Sequence, residues 1–251
     1  MDTLLPTPAV IAHRGASAYA PENTLPAFEL AVAQNADAVE LDAKLTRDGE
    51  VVVIHDRSVD RTTNGSGLLH TLTYHEIKLL DAGSWFRPKF KGVRIPTLGQ
   101  VFEAVGKKIV INIELTNYAA PLDGLAEKTA SLINEHQIED RVFISSFNPL
   151  ALFKFHRLLP DIPIGLLALP GPAGALPRSW LGNLVPYQAL HPHFSSVTPK
   201  LIHKARQRGK RIQCYTVNQE ADMKRLFAWG IGAIFTDDPI KALAVRRELS
   251  S

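Results

Sequence analysis

Six residues in this chain could do chemistry together. His13-Arg14 follows the apolar run Ala9–Ala12, the block VELDAKLTRDGEVVVIHD (39–56) holds Glu40, Asp42 and His55, and Glu114 ends a third apolar stretch. Three carboxylates gathered in one place repel each other unless something cationic sits among them. A single divalent cation resolves that conflict. All-oxygen ligands favour Mg2+ or Ca2+, with Mn2+ also suitable, and the nearby imidazoles keep Zn2+ in contention. The planar fork of Arg14 suits the non-bridging oxygens of a phosphate. One histidine would activate a nucleophile while the other protonates the leaving oxygen. This is equipment for phosphoryl transfer.

The elements that must position these groups can be read in turn. Val39, Leu41, Ala43 and Leu45 alternate with Glu40, Asp42, Lys44 and Thr46, the period-2 pattern of a strand with two different faces. Asp48-Gly49 then signals a two-residue hairpin turn, followed by the β-branched run Val51–Ile54. If those two residues form the turn, Arg47 faces Glu50, Lys44 faces Val53 and Asp42 faces His55, all with Glu40 on one face. A polar sheet face is often merely solvated. The hairpin alone therefore does not establish a site; its company does.

Further strands fit 9–12, 38–43, 109–114, 142–145, 164–167, 187–190, 212–216 and 233–236, and helices fit near 25–36, 98–106, 122–135, 149–158, 199–208, 219–229 and 238–247. Asn23 or Thr24 would cap the first helix. Eight βα units predict an α/β protein of the TIM (β/α)8 barrel class. A doubly wound open sheet is the rival, but no GxGxxG follows the first strand. The stretch of about 57–96 is too long for an ordinary loop and reads as a small lid or subdomain inserted after strand 2, within a single domain spanning 1–251. In such a barrel the strand carboxyl ends carry the chemistry. Strand 1 would deliver His13 and Arg14, strand 2 Glu40 and Asp42, strand 3 Glu114, and the returning hairpin limb His55.

Composition narrows the function classes. With 251 residues, 45% of them hydrophobic, the chain can bury a large core. A net charge of +3 without a long Lys/Arg run gives no support to nucleic-acid binding and suits a small anionic substrate. One cysteine, Cys214, excludes an internal disulfide and fits a reducing compartment. No signal-peptide pattern and no apolar stretch of membrane-spanning length is present, so a cytoplasmic protein without stable membrane insertion is expected. The seven histidines other than His13 and His55 read as surface or loop residues, with His191-Pro192-His193 a weaker alternative at the mouth. Oligomeric state is not legible.

The motifs HRGASAYAPENT, VELDAKLTRDGEVVVIHD, RTTNGSG, DAGSWF, IPTL, NIEL, SSFNP, TVN and FTDDP, in order from residue 13 to 239, closely resemble the glycerophosphodiester phosphodiesterases. The resemblance implies a TIM barrel with a small insertion after strand 2. It also implies metal-dependent hydrolysis of glycerophosphodiesters to glycerol 3-phosphate and an alcohol. By matching position, Glu40, Asp42 and Glu114 would bind the metal and His13 and His55 would be the acid/base pair. Arg14 would contact phosphate, with Glu22 and Asn23 supporting the first-strand loop.

Two positions depart from that pattern. Thr116 stands where the family often has lysine, and Tyr215 where it commonly has tryptophan. Lys44, on the face of Glu40 and Asp42, could supply the missing phosphate contact. Tyr215 keeps an aromatic wall beside the substrate. A lysophospholipase D or sphingomyelinase D-like activity is the enzymatic alternative, and an inactive phosphate-binding barrel the non-enzymatic one. The latter would have lost an acid or a histidine, and all five are present.

Overall fold

The computed structural model describes residues 4–117, 123–178 and 184–249. The chain runs through β1 (Ala9–Ala12), α1 (Leu25–Ala33), β2 (Ala38–Leu45), β3 (Val51–Val53), α2 (Tyr74–Ile77), α3 (Leu98–Val105) and β4 (Val110–Leu115). It continues with α4 (Leu125–His136), β5 (Val142–Ser146), α5 (Pro149–Leu158), β6 (Ile164–Ala168), α6 (Ala175–Arg178) and β7 (Ala189–Pro192). Last come α7 (Pro199–Arg206), β8 (Arg211–Cys214), α8 (Glu220–Ala228), β9 (Ala233–Thr236) and α9 (Pro239–Glu248). Leu122, in the expected helix 122–135, and residues 179–183 of the Pro/Gly-rich stretch lie outside the described residues.

Eight of these strands are parallel, in the order β1-β9-β8-β7-β6-β5-β4-β2, and β1 pairs with β2 to close the barrel. Closure leaves alternate residues facing inward. Val39, Leu41 and Ala43 join the large apolar layer beneath the helices, with Phe28, Leu98, Ile133 and Phe155. Ile11, Phe143 and Phe235 pack in a second cluster inside the barrel, with Leu5. Arg211 closes its amino-terminal end on the carbonyls of Leu5, Pro6 and Gly232.

The hairpin forms, but in a different register from the expected one. Ala43 pairs with Val53, Lys44 with Val52 and Leu45 with Val51, so Ile54 rather than His55 stands opposite Asp42. The reason is the turn. Three residues, not two, separate the paired Thr46 and Glu50, and Gly49 adopts φ +81°, as in a type I turn followed by a bulge. The Thr46 hydroxyl donates to Asp48 and accepts from the Glu50 amide, fixing the three-residue turn. Since β4 occupies one edge of β2, β3 must take the other, beyond the point where β1 ends. The strand stops at Val53, and the chain bends at His55 back over the barrel mouth.

Between Arg57 and Pro96 the inserted segment has its own apolar cluster of Val59, Leu69, Ile77, Ala82 and Ile95, packed on Val52 and Ile54. Thr73 and Glu76 form a reciprocal capping box on α2. Asp81 accepts from the amides of Gly83, Ser84 and Gly92, gathering the DAGSWF loop around one carboxylate.

Candidate active site

At the carboxyl end of the barrel, a cavity of about 350 Å³ brings His13, Arg14, Glu40, Asp42, His55, Glu114 and Tyr215 to one lining. Parallel pairing places Asp42 directly beside Glu114. Carboxylate oxygens of Glu40, Asp42 and Glu114 all lie within 4.8 Å of one another. Burial pushes the Glu40 carboxyl well above the usual range, and Asp42 and Glu114 push it further. Burial also penalises an ionised Asp42, but Arg14, His55 and Lys44 hold it below its ordinary value. An all-oxygen trio, with Glu40 and Asp42 buried, Glu114 half-buried and Glu40 forced towards its neutral form, is a good fit for a hard divalent cation.

The loop after β1 is folded tightly around this trio. Arg14 and Asn23 both adopt φ +57°, uncommon for residues with a side chain, and Gly15 follows at +82°. A Cβ on Gly15 would come within 2.6 Å of the Ala27 backbone, so only glycine fits there. This geometry aims the Arg14 amide at Glu40 Oε2 (2.9 Å), while the Arg14 guanidinium reaches Glu22 (2.8 Å) and Asp42 (3.4 Å). Asn23 is not the cap of α1. Its amide donates to Asp42 Oδ2 at 2.8 Å; Thr24 occupies the cap position without a side-chain cap bond.

Each histidine is braced by a carboxylate. His13 Nδ1 lies 2.6 Å from Asp237 Oδ1, and His55 Nδ1 lies 2.7 Å from Asp56 Oδ1. An ionised carboxylate only accepts, so each proton belongs on Nδ1, leaving Nε2 for a substrate. Asp237 also accepts from Ser17 and Asn218, and His13 and these bonds outweigh burial to keep it ionised. Asp56 is held low chiefly by Arg61, which grips it at 2.6 and 3.1 Å and Glu22 at 2.8 Å twice. Arg14, Glu22, Arg61 and Asp56 thus form a continuous chain of alternating charge that ends against the His55 ring.

Asp56, Arg61 and Asp237 were missed by sequence reasoning, although Asp56 is the immediate neighbour of His55 and Asp237 directly follows β9. Two other expected contributors sit differently from the core group. Glu22 lies to one side, paired with both arginines. Lys44 is not in the cavity lining; its ammonium donates to Thr116 Oγ1 at 2.5 Å, and Thr116 in turn donates to the Ala43 carbonyl. Tyr215 forms part of an apolar wall with Phe147, Leu167 and Phe235, its hydroxyl committed to the Ala168 carbonyl.

The strand after α6 delivers one surprise. His191, read from sequence as a surface or mouth residue, is fully buried inside the barrel, whereas His193 does line the cavity. The His191 ring rests between Phe143 and Phe235, in space left by Gly165, where a Cβ would come within 2.4 Å. Among the described residues neither ring nitrogen has a well-formed hydrogen bond. Burial lowers the imidazole to about 3, and neighbouring Gln213 offsets only part of that.

Comparison with known proteins agrees with this geometry. Residues 13–241 match the family model described as the glycerophosphoryl diester phosphodiesterase family. A glycerophosphodiester phosphodiesterase of Caldanaerobacter subterraneus subsp. tengcongensis is 43% identical, over 92% of this chain and 94% of its own. One from Bacillus altitudinis is 38% identical, over 96% and 98%. An Oleispira antarctica phosphodiesterase, solved in complex with the product sn-glycerol-3-phosphate, superposes with a TM-score of 0.90 at 32% identity, covering 99% of this chain and 98% of that one. With a closed eight-stranded barrel, and these likenesses running through nearly its whole length, the chain belongs to the glycerophosphoryl diester phosphodiesterase family.

Proposed function

We propose that this protein hydrolyses glycerophosphodiesters to glycerol 3-phosphate and an alcohol, using one divalent cation, Mg2+ or Ca2+, held by Glu40, Asp42 and Glu114. One observation carries the reading: three mutually close carboxylates, two of them buried and Glu114 half-buried, share a cavity with Arg14 and with two histidines, each braced by its own aspartate. When bound, the cation would supply charge neutralisation for the phosphate and a Lewis acid beside phosphorus. Arg14, turned inward by its left-handed backbone, would hold a phosphate oxygen alongside. His13 and His55 would divide proton removal and delivery through Nε2, with Asp237 and Asp56 fixing their tautomers. Asn23 would orient Asp42, and Glu22 would brace Arg14. Lys44, held on Thr116 behind the cavity lining, would add positive charge beside Asp42 and Glu114, and Tyr215 would offer its ring face to an apolar part of the substrate.

The barrel and its insertion are read as one domain, with about 57–96 forming the rim beside His55. A cytoplasmic setting fits a small, polar substrate; no helix among the described residues is long and apolar enough to cross a membrane. The test is release of glycerol 3-phosphate from glycerophosphocholine and glycerophosphoethanolamine, after chelation and re-addition of single metals. Activity that survives thorough chelation, or no release from any glycerophosphodiester under any metal, would overturn the proposal.

A further inference from the structure

The barrel mouth holds two recesses. Beside the cavity described above lies another of about 390 Å³ that shares His13 and Arg14 with it. Its remaining walls come from the loop after β1, from the loop leading into α8 and from the start of α9. The two differ in chemistry. The first has an apolar side of Phe147, Leu167, Tyr215 and Phe235; the second has no aromatic or large aliphatic side chain in its lining and is built from Ser17, Ala18, Gln219, Lys241 and carboxylates.

A phosphodiester has two arms that diverge from one phosphorus. If the phosphate lies against Arg14 and His13, as the proposed function requires, it sits where the recesses meet, and each arm has one to enter. Resting on that reading, we propose that the second recess binds the leaving alcohol and takes a compact polar one, neutral or cationic. The charges favour this class. Glu22 is already matched by Arg14 and Arg61, and Asp238 by Lys241 at 3.2 Å. Among the described residues, no lysine or arginine pairs with Asp237, which is held by His13, Ser17 and Asn218. Among the residues that line the recess, the carboxylates Glu22, Asp237 and Asp238 outnumber the cations Arg14 and Lys241, an environment unwelcoming to an anionic head group. Gln219 precedes α8 without capping it through its side chain, so its amide remains available to a hydroxyl.

The experiment compares two diesters that differ only in this arm, glycerophosphocholine and the methyl ester of glycerol 3-phosphate. Ala18 is exposed and lines the recess, so Ala18→Trp fills it from one wall and Gln219→Trp from the other. Each should raise KM for glycerophosphocholine by about tenfold or more, the scale of excluding a few atoms from a shaped site. The methyl ester should change by less than about twofold, because its arm does not reach the filled volume. Circular dichroism confirms that each variant is folded before the comparison. Equal responses to the two diesters in both folded variants would overturn the recess assignment alone. Failure of the unaltered protein to release glycerol 3-phosphate from either diester would overturn the diesterase reading itself.

Discussion

His191 offers a quantitative check on the barrel interior. Its imidazole is fully buried and held near 3, whereas in the unfolded chain it titrates at about 6.5. The folded value is the lower one. As pH falls below about 6.5, the unfolded chain takes up a proton that the folded chain refuses, so stability is lost down to about pH 3. Each pH unit within that window is worth about 1.4 kcal/mol. Between pH 7.5 and 5 the loss from this one group comes to about 2 kcal/mol. His191→Gln keeps a polar side chain of similar size but removes the titration. Urea unfolding of both proteins at several pH values isolates the effect, since the other acids titrate alike in each. The variant should lose about 2 kcal/mol less than the parent over that span. Parallel pH profiles for the two proteins would refute the claim that the barrel holds this ring neutral.

Four further outcomes follow from the site. Asp237→Asn preserves shape but removes the charge bracing His13, and kcat should fall by about 100-fold or more with KM little changed, as steady-state kinetics would reveal. Chelation should lower the thermal midpoint of the metal-loaded protein, since a cation at about 100 times its Kd stabilises by about 2.7 kcal/mol; Glu40→Gln should blunt that response in differential scanning fluorimetry. Lys44→Met should weaken substrate affinity in a turnover assay, and unchanged kinetics would remove Lys44 from phosphate recognition. Gly165→Ala drives a methyl group into the His191 ring and should destabilise by about 1–3 kcal/mol in the same urea titration.

Much of the architecture was legible because the barrel repeats one local rule. The limits of β1, β9 and α5 match their apolar runs because each is bounded by abrupt changes of residue type. β7 lies two residues later than expected. Pro192 lacks an amide donor, yet the strand includes it and its carbonyl accepts from the Tyr215 amide. Glu40, Asp42 and Glu114 were legible from alternation and strand ends alone. The hairpin register was not, since Asp-Gly admits both a two-residue turn and a three-residue turn with a bulge. Nor were the left-handed conformations of Arg14 and Asn23, which depend on contacts to Glu40 and Asp42 made across the fold. Asp237 escaped notice because an acid before Asp238-Pro239 reads locally as part of a helix start, and Asp238 does cap α9.

Arg61 has a consequence for how the mouth is used. It belongs to the inserted segment, yet four of its contacts are with Glu22 and Asp56, on loops that follow β1 and β3. Although half-exposed pairs of this kind contribute little singly to stability, swinging the insertion outward would have to break all four at once and strip His55's aspartate of its guanidinium partner. These four contacts tie the inserted segment to both loops at once and set its position beside His55.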